Sequence, residues 1–288
     1  MNNPLRALRG VALLGVAVGV LVVAWLVHGA QPEKPPAAAM LLAQAFPGWP
    51  AQGQRALQTL DLPPAPGGGP HDGPVQAWVH PLHVVAFDDD HLALVTQAVR
   101  AGEGGAPQDC HACGAVVGAY FFERRTDGWH LTARQDDVLE TGAAGSLGTT
   151  QVHRLEQGQY ALSADWGSCW QGYCGRWLAL VGLRADHATV LSDGVRLGVD
   201  NDAIAGACSA LDGRHGVPAA ARRQECLQIH GSWKMQGPQL AIHFSGRMRV
   251  KGARGRMQRV RQVDEQVVYR LSAGTMFLMK GRNPVPAF

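Results

Sequence analysis

The sequence lacks the short motifs that would name a common reaction. It has no His-Glu-x-x-His zinc motif, no Gly-x-Ser-x-Gly nucleophile turn, no phosphate-binding loop and no dinucleotide-binding glycine pattern. The nearest approach, "GAAGSLG", has Ala144 where the first glycine of a nucleophile turn would stand. The enzyme classes that depend on these motifs are excluded, and we predict no catalytic residue.

Charged and aromatic residues are also scarce. Only 17% of the residues are charged and 7% are aromatic, whereas 46% are hydrophobic, which is typical of a globular chain rather than a disordered one. The 26 basic and 23 acidic residues nearly balance, leaving a net charge of +3. Because neither sign dominates, the overall charge indicates no partner, and we expect no nucleic acid.

Cysteine is absent before Cys110, which excludes a lipid-modified amino-terminal cysteine. The first thirty residues nevertheless resemble an export segment, because Arg6 and Arg9 precede an uncharged apolar run over residues 11–30. The run is long enough to span a bilayer, so we expect an uncleaved anchor with the rest of the chain outside the cytoplasm. Cleavage as a signal peptide is the alternative.

Helical periodicity is scarce after residue 75, where short strand-like segments replace it. Segments such as "AVVGAYFFER", "QYALSADW" and "RWLALVGL" are rich in β-branched or aromatic residues and are separated by polar turns. We predict one all-β domain, an antiparallel β-meander that forms a sandwich or a barrel. A small β-propeller is the alternative, although no clean repeat supports it. One short helix is expected at "VPAAARRQECLQI".

The stretch between the export segment and this domain is rich in Ala, Pro, Gly and Gln. Such a composition buries too little apolar surface to offset the entropy lost on ordering, so we predict a tether with at most a short helix at "AAAMLLAQAF". The predicted organisation is an anchor or signal peptide over residues 1–30, a tether over 31–74 and a disulfide-linked all-β domain over 75–288.

The six cysteines allow several interpretations. "CHACG" excludes a c-type haem site, because Gly114 stands where a histidine should follow the second cysteine. Cys110 and Cys113 could form a redox-active dithiol, or they could share a zinc ion with a second cysteine pair. Proximity in sequence favours three disulfides instead, and no metal or cofactor is predicted. The expected pairs are Cys110 with Cys113, Cys169 with Cys174, and Cys208 with Cys226.

The stretch "DWGSCWQGYCGRW" offers the first candidate ligand-binding surface. Trp170 and Tyr173 lie between two cysteines, in a loop that has little interior to hide them, and could form a rigid aromatic platform. Packing of both rings into the core is the alternative. Trp166 and Trp177 are expected to lie on the flanking strands and to face the core.

The stretch "RMRVKGARGRMQRVR" offers the second candidate surface, with seven basic residues and no acidic one. If "KGARG" forms a turn, the side chains before it share one strand face and those after it approach from the return strand. Such a hairpin could contact anionic lipid or glycan phosphates, or could be a solvated edge that resists aggregation. The candidate residues are Arg247, Arg249, Lys251, Arg256, Arg259 and Arg261.

Four stretches carry a resemblance to a family of exported proteins of Gram-negative bacteria. They are "FDDDHLALVTQAV", "CHACGAVVGAYFFERRTDGW", "CLQIHGSWKM" and "GRNPVPAF", and the resemblance covers most of residues 84–288. It implies a periplasm-facing domain, hence an inner-membrane anchor at residues 11–30, and disulfides at the matching cysteines. If the anchor is cleaved, the domain would be soluble in the periplasm or secreted.

Two functional hypotheses follow. The first is a non-enzymatic binding module that recognises an envelope component or a protein partner through the aromatic loop or the basic hairpin. The second is an envelope thiol-disulfide enzyme that uses Cys110 and Cys113. The sequence indicates no particular ligand for either hypothesis.

Overall fold

The strand-like segments form two antiparallel sheets. The computed structural model describes residues 37–64, 73–204, 208–211, 224–252, 254–272 and 274–287. Strands account for 63% of the structure and helices for 6%, and one sheet is curled into a half-barrel. The predicted all-β meander is therefore confirmed, as two packed sheets rather than propeller blades.

The first sheet has five strands in sequential order, β1 to β5. The strands are β1 Ala56–Leu60, β2 Val75–Ala86, β3 His91–Arg100, β4 Ala115–Arg125 and β5 Gly128–Thr141. A single helix, α1 Ala38–Ala45, precedes them among the described residues, and a short 3-10 turn, Glu103–Gly105, joins β3 to β4.

The second sheet has eight strands, again in sequential order, from β6 at one edge to β13 at the other. The first four are β6 Thr149–Glu156, β7 Gln159–Trp170, β8 Tyr173–Leu183 and β9 Ala188–Asp200. The last four are β10 Cys226–Gln236, β11 Gln239–Arg249, β12 Arg261–Ser272 and β13 Thr275–Lys280. Strands β9 and β10 pair over only three residues, Val199 of β9 with Ile229 of β10 being the central pair.

The expected short helix at "VPAAARRQECLQI" is wrong where the structure describes it. Residues from Cys226 onward belong to β10, which pairs with β11 along its whole length. This pairing buries Leu227 and Ile229 in the core, so tertiary contacts override the local helical pattern.

The central position of β4 explains why its sequence is a nearly continuous apolar run. Every residue from Ala115 to Phe122 is buried. Val117 and Phe121 face a core shared with Leu162 and Val181 of the second sheet. Alternate residues of β4 point the other way, so this strand is covered on both sides.

Helix α1 provides the cover on that other side, which corrects the predicted tether. Leu41, Leu42 and Phe46 are buried against the first sheet, and the Phe46 ring packs edge-on against Tyr120 at 4.8 Å between centroids. Strand β1 pairs with β2. Residues 37–62 therefore belong to the fold, since most of their large apolar side chains are buried against one face of the first sheet.

The predicted membrane anchor or signal peptide over residues 1–30 lies outside the described residues. Within the described part of the chain, no helix is long and apolar enough to cross a membrane.

Candidate functional site

The aromatic loop is the tip of the β7–β8 hairpin. Cys169 and Cys174 are bonded across the two strands, and Gln171 and Gly172 form the turn with φ angles of 49° and 85°. Glycine is required at the second turn position because a Cβ there would lie 2.6 Å from Ile204 Cγ1. The disulfide bond therefore closes a tight turn at the tip of the hairpin.

The two aromatic residues of the tip have different environments. The Trp170 side chain is 65% exposed, the largest exposed fraction among the large hydrophobic residues that the structure describes. Tyr173 is half-buried and packs against the core of the second sheet. Trp170 therefore fits the interpretation as a surface platform, whereas Tyr173 mainly supports the hairpin.

The Cys110–Cys113 loop lies against this tip. Its cysteines are bonded to each other, and His111 between them approaches the hairpin. His111 Nε2 lies 3.0 Å from Ser168 Oγ, within hydrogen-bond distance, and its ring centroid lies 5.5 Å from that of Trp170. Two disulfide-closed loops that are far apart in sequence thus form one surface.

The Cys110–Cys113 loop does not have the setting of a thioredoxin-like dithiol. It is a turn followed by Gly114 and strand β4, not by a helix. The positive end of a helix dipole, which would lower the pKa of a thiol, is therefore missing at this point of the chain.

The third bond joins Cys208 and Cys226, so all three pairs are those that sequence proximity favours. Both sulfur atoms belong to fully buried residues, and the closed loop is the longest of the three. Loop closure of this length contributes about 3 kcal/mol to stability, against about 2 kcal/mol for each shorter loop.

A cleft of about 1070 Å³ opens beside the two loops. Strands β6, β7, β8 and β10 contribute its walls, and His111 stands at its rim. Asp165, in the cleft wall, lies diagonally across the hairpin from Arg176 and directly opposite Leu178, which belongs to the buried core of the second sheet. The cleft is therefore the polar end of the face that carries this core.

Asp165 organises the cleft wall. Its carboxylate accepts hydrogen bonds from Arg176 Nε at 2.7 Å and Nη2 at 2.5 Å, and from Trp233 Nε1 at 2.7 Å. The Asp165 side chain is mostly buried. Since Trp233 lies on β10, these bonds join β7 and β8 to β10 where direct strand pairing has ended.

His153 and Ser163 form a second polar pair in the wall. His153 Nε2 lies 2.9 Å from Ser163 Oγ, and the His153 ring packs edge-on against Trp233 at 5.5 Å. Ser163 is fully buried and donates to Gln151 O, so its oxygen is not available to a substrate. Burial lowers the pKa of His153, which favours the neutral ring.

The indole rings of Trp166 and Trp177 stack at 4.5 Å behind the tip. Both rings are half-buried, whereas the sequence predicted that they would face the core. Trp166 lines the cleft, and Trp177 lines a smaller pocket of about 440 Å³ together with Trp170 and Tyr173. The stacked pair thus lies between two concave surfaces, and Trp170 lines the smaller one.

The wall residues Asp165, Arg176 and Trp233 were not predicted from the sequence. A signal existed for the first two, because the Cys169–Cys174 bond fixes the hairpin register and places Asp165 and Arg176 diagonally on one face. Trp233 gives no such signal, since it reaches the cleft only through the curl of the sheet.

The basic hairpin differs from the prediction in register. Strand β12 begins only at Arg261, so Arg256 and Arg259 lie in the exposed connection. Arg261 lies opposite Met248. Because opposed residues share a face and neighbours alternate, Arg261 points away from the face of Arg247.

The first two arginines of the hairpin are also engaged in the fold. Arg247 Nε donates to Gln228 Oε1 at 3.0 Å, and Arg249 donates to the carbonyl oxygen of Gln224 at 2.9 Å. Both side chains are half-buried, whereas Lys251 is exposed. The six candidates therefore do not form one basic surface.

The zinc interpretation is not supported by the cysteines, because all four that it requires are in disulfides. Among the described residues, no group of three or more His, Cys, Asp or Glu side chains could hold a metal ion.

Compared with protein-family models, with curated proteins and with solved structures, the chain gives no significant match.

Proposed function

We propose that this chain is a non-enzymatic binding module of the Gram-negative cell envelope, with its ligand site at the cleft and the neighbouring hairpin tip. The single observation that carries the proposal is the exposed Trp170 ring, held on a disulfide-closed turn beside a cleft of about 1070 Å³. Large open clefts with a few convergent polar groups are the usual form of ligand sites.

The tip suits ligand binding because ordering Trp170 on association costs little conformational entropy. Trp170 offers a large apolar area to a ligand, and the bonded turn together with His111 restricts its motion before binding. A rigid aromatic side chain therefore loses little entropy on association. Asp165, Arg176 and the neutral ring of His153 supply polar groups in the cleft itself, so the cleft and the aromatic tip together suit a ligand with both polar and apolar parts.

The proposed location rests on the disulfides. Three disulfide bonds are typical of an oxidising compartment outside the cytoplasm. We place the domain in the periplasm, anchored in the inner membrane through residues 11–30. Cleavage after this segment would give the same domain in a soluble periplasmic or secreted form.

Site-specific photo-crosslinking tests the site. A photoreactive phenylalanine analogue is placed at Trp170 in one strain and at Met40, an exposed residue on α1, in a control strain. We expect adducts of defined mass from position 170 and not from position 40 after irradiation of intact cells. Absence of adducts at position 170, or the same adducts at both positions, would overturn the proposal.

The thiol-disulfide enzyme remains the alternative function, supported by the exposure of Cys110 at the surface. Intact mass after alkylation, with and without mild reductant, separates the two functions. The binding module predicts that all six cysteines stay protected without reductant. Selective reduction and alkylation of Cys110 and Cys113, with turnover of a disulfide substrate, would favour the enzyme.

A further inference from the structure

Strand β13 is an edge strand with exposed apolar side chains. Within the described part of the chain its one strand partner is β12, so its other edge carries no strand. Phe277, Leu278 and Met279 are 52%, 54% and 61% exposed. Edge strands in soluble proteins are commonly protected by charge, proline or a cover, because their unpaired backbone groups accept further strands.

The register shows which side chains a new strand would meet. Phe277 lies opposite Arg270 and shares its face of the sheet, whereas Leu278 lies opposite Tyr269 on the other face. The register shifts between Val268 and Tyr269, so Met279 is the extra residue of a bulge. An added strand would therefore find apolar surface on both faces of β13.

The charged residues of β13, of the part of β12 that pairs with it and of the two residues that follow β13 have one sign. From Gln266 to Arg282 the sequence has three charged residues, Arg270, Lys280 and Arg282, and no acidic one. All three side chains are exposed. A strand that carries acidic side chains would meet complementary charge, whereas a second copy of this chain would bring further cations to the same edge.

We propose that β13 binds an extended segment of a partner polypeptide that alternates apolar and acidic residues, added to the sheet as a further strand. Backbone hydrogen bonds to the open edge give affinity, as in other cases of strand addition. On one face Leu278 selects the apolar side chains, and on the face of Phe277 the cations Arg270 and Lys280 select the acidic ones. This surface is independent of the cleft and of the ligand proposed for it.

The test measures binding of a fluorescent peptide of about ten alternating valine and glutamate residues to the purified full chain. One control peptide replaces glutamate with lysine. A second keeps the valine and glutamate side chains but is N-methylated at alternate residues, which removes the donors along one backbone edge.

The protein variants are Leu278→Thr and Lys280→Glu, with Leu57→Thr as a matched control at an exposed leucine of β1. Threonine keeps strand propensity, so the fold is retained and circular dichroism verifies it. We expect each test variant to weaken binding of the acidic peptide by about tenfold or more, and the control variant to bind normally. Raising the ionic strength should also weaken binding.

Any of four results would overturn the proposal. The wild-type chain would fail to bind the acidic peptide, or would bind the lysine peptide equally well. The N-methylated peptide would bind as tightly as its parent, which would exclude strand addition. Finally, sedimentation of the chain alone would show a dimer that Leu278→Thr abolishes, which would assign the edge to a second copy.

Discussion

At the scale of single residues, one carboxylate does most to shape the candidate site. Asp165 gathers Arg176 and Trp233 from two other strands, one of which is not its neighbour in the sheet. A mostly buried carboxylate with charged and neutral donors is well satisfied, but removing its charge leaves those donors without their strongest acceptor. The position of the Trp233 ring, and hence the shape of the cleft, depends on this group.

The first prediction concerns this carboxylate. Asp165→Asn keeps the shape of the side chain but removes the charge that Arg176 and Trp233 share, so we expect a loss of about 1–3 kcal/mol in the free energy of unfolding. The control is Asp264→Asn, because the Asp264 side chain is exposed and pairs with the exposed His243. Its cost should stay within about 0.5 kcal/mol in denaturant titrations. Equal costs for the two variants would contradict the assignment.

The second prediction concerns pH. Burial lowers the pKa of His153 and of His83 below the ordinary value of 6.5. The unfolded chain therefore binds protons more readily than the folded chain. The stability that the two neutral rings contribute is fully present above about pH 6.5 and is lost as the pH falls from there through their lower pKa in the folded state. Denaturant titrations at about pH 7.5 and about pH 5.5 should show this loss.

Replacement of the two rings provides the control for this pH dependence. The double variant His83→Gln, His153→Gln should lose less stability than the wild type over the same interval, because it lacks the two histidines whose pKa is lowered by burial. An unchanged slope in the double variant would show that other groups cause the acid sensitivity.

At the scale of elements, helix α1 changes the domain organisation expected from sequence. Arg134 donates to the carbonyl oxygen of Ala45 at the helix end and also to Asp136, while its guanidinium lies 5.1 Å from the Phe46 ring. Tyr120 donates to the same Asp136. The helix is therefore fastened to the first sheet by apolar burial and by a shared polar network.

The third prediction follows from this fastening. Phe46→Ala removes a fully packed ring and leaves a cavity, so we expect a loss of about 3–5 kcal/mol and a melting temperature lower by several degrees. Met40→Ala, on the exposed side of the same helix, should cost less than about 0.5 kcal/mol. A tether would tolerate both substitutions, so similar small effects would contradict the packed helix.

The same element shows how far the sequence could predict the fold. Alternating strands and polar turns were sufficient for the meander, because strand periodicity and short connections are local properties. The helix segment "AAAMLLAQAF" was visible, but its packing was not, since nothing local shows that one face of the first sheet lacks a cover. The helix predicted to include residues 226–229 was wrong, because there a local helical pattern was present but pairing with β11 outweighed it.

At the scale of the whole molecule, the candidate site is a product of long-range convergence. The Cys110–Cys113 loop comes from the connection before β4, the aromatic tip from β7 and β8, and Trp233 from β10. Sequence could identify the disulfides and the exposed aromatic loop, because each is local. It could not show that His111 meets Trp170, or that a cleft lies between them and β10, since these contacts depend on how the second sheet curls.

The central claim is that Trp170 serves binding and not stability. The most direct measurement is the affinity of Trp170→Ala for the component that crosslinks at this position, taken together with its melting temperature and with Met40→Ala as control. We expect an affinity lower by about tenfold or more, and a melting temperature within about 2 °C of the wild type. Wild-type affinity in Trp170→Ala, or a loss of more than about 2 kcal/mol of stability, would contradict the claim.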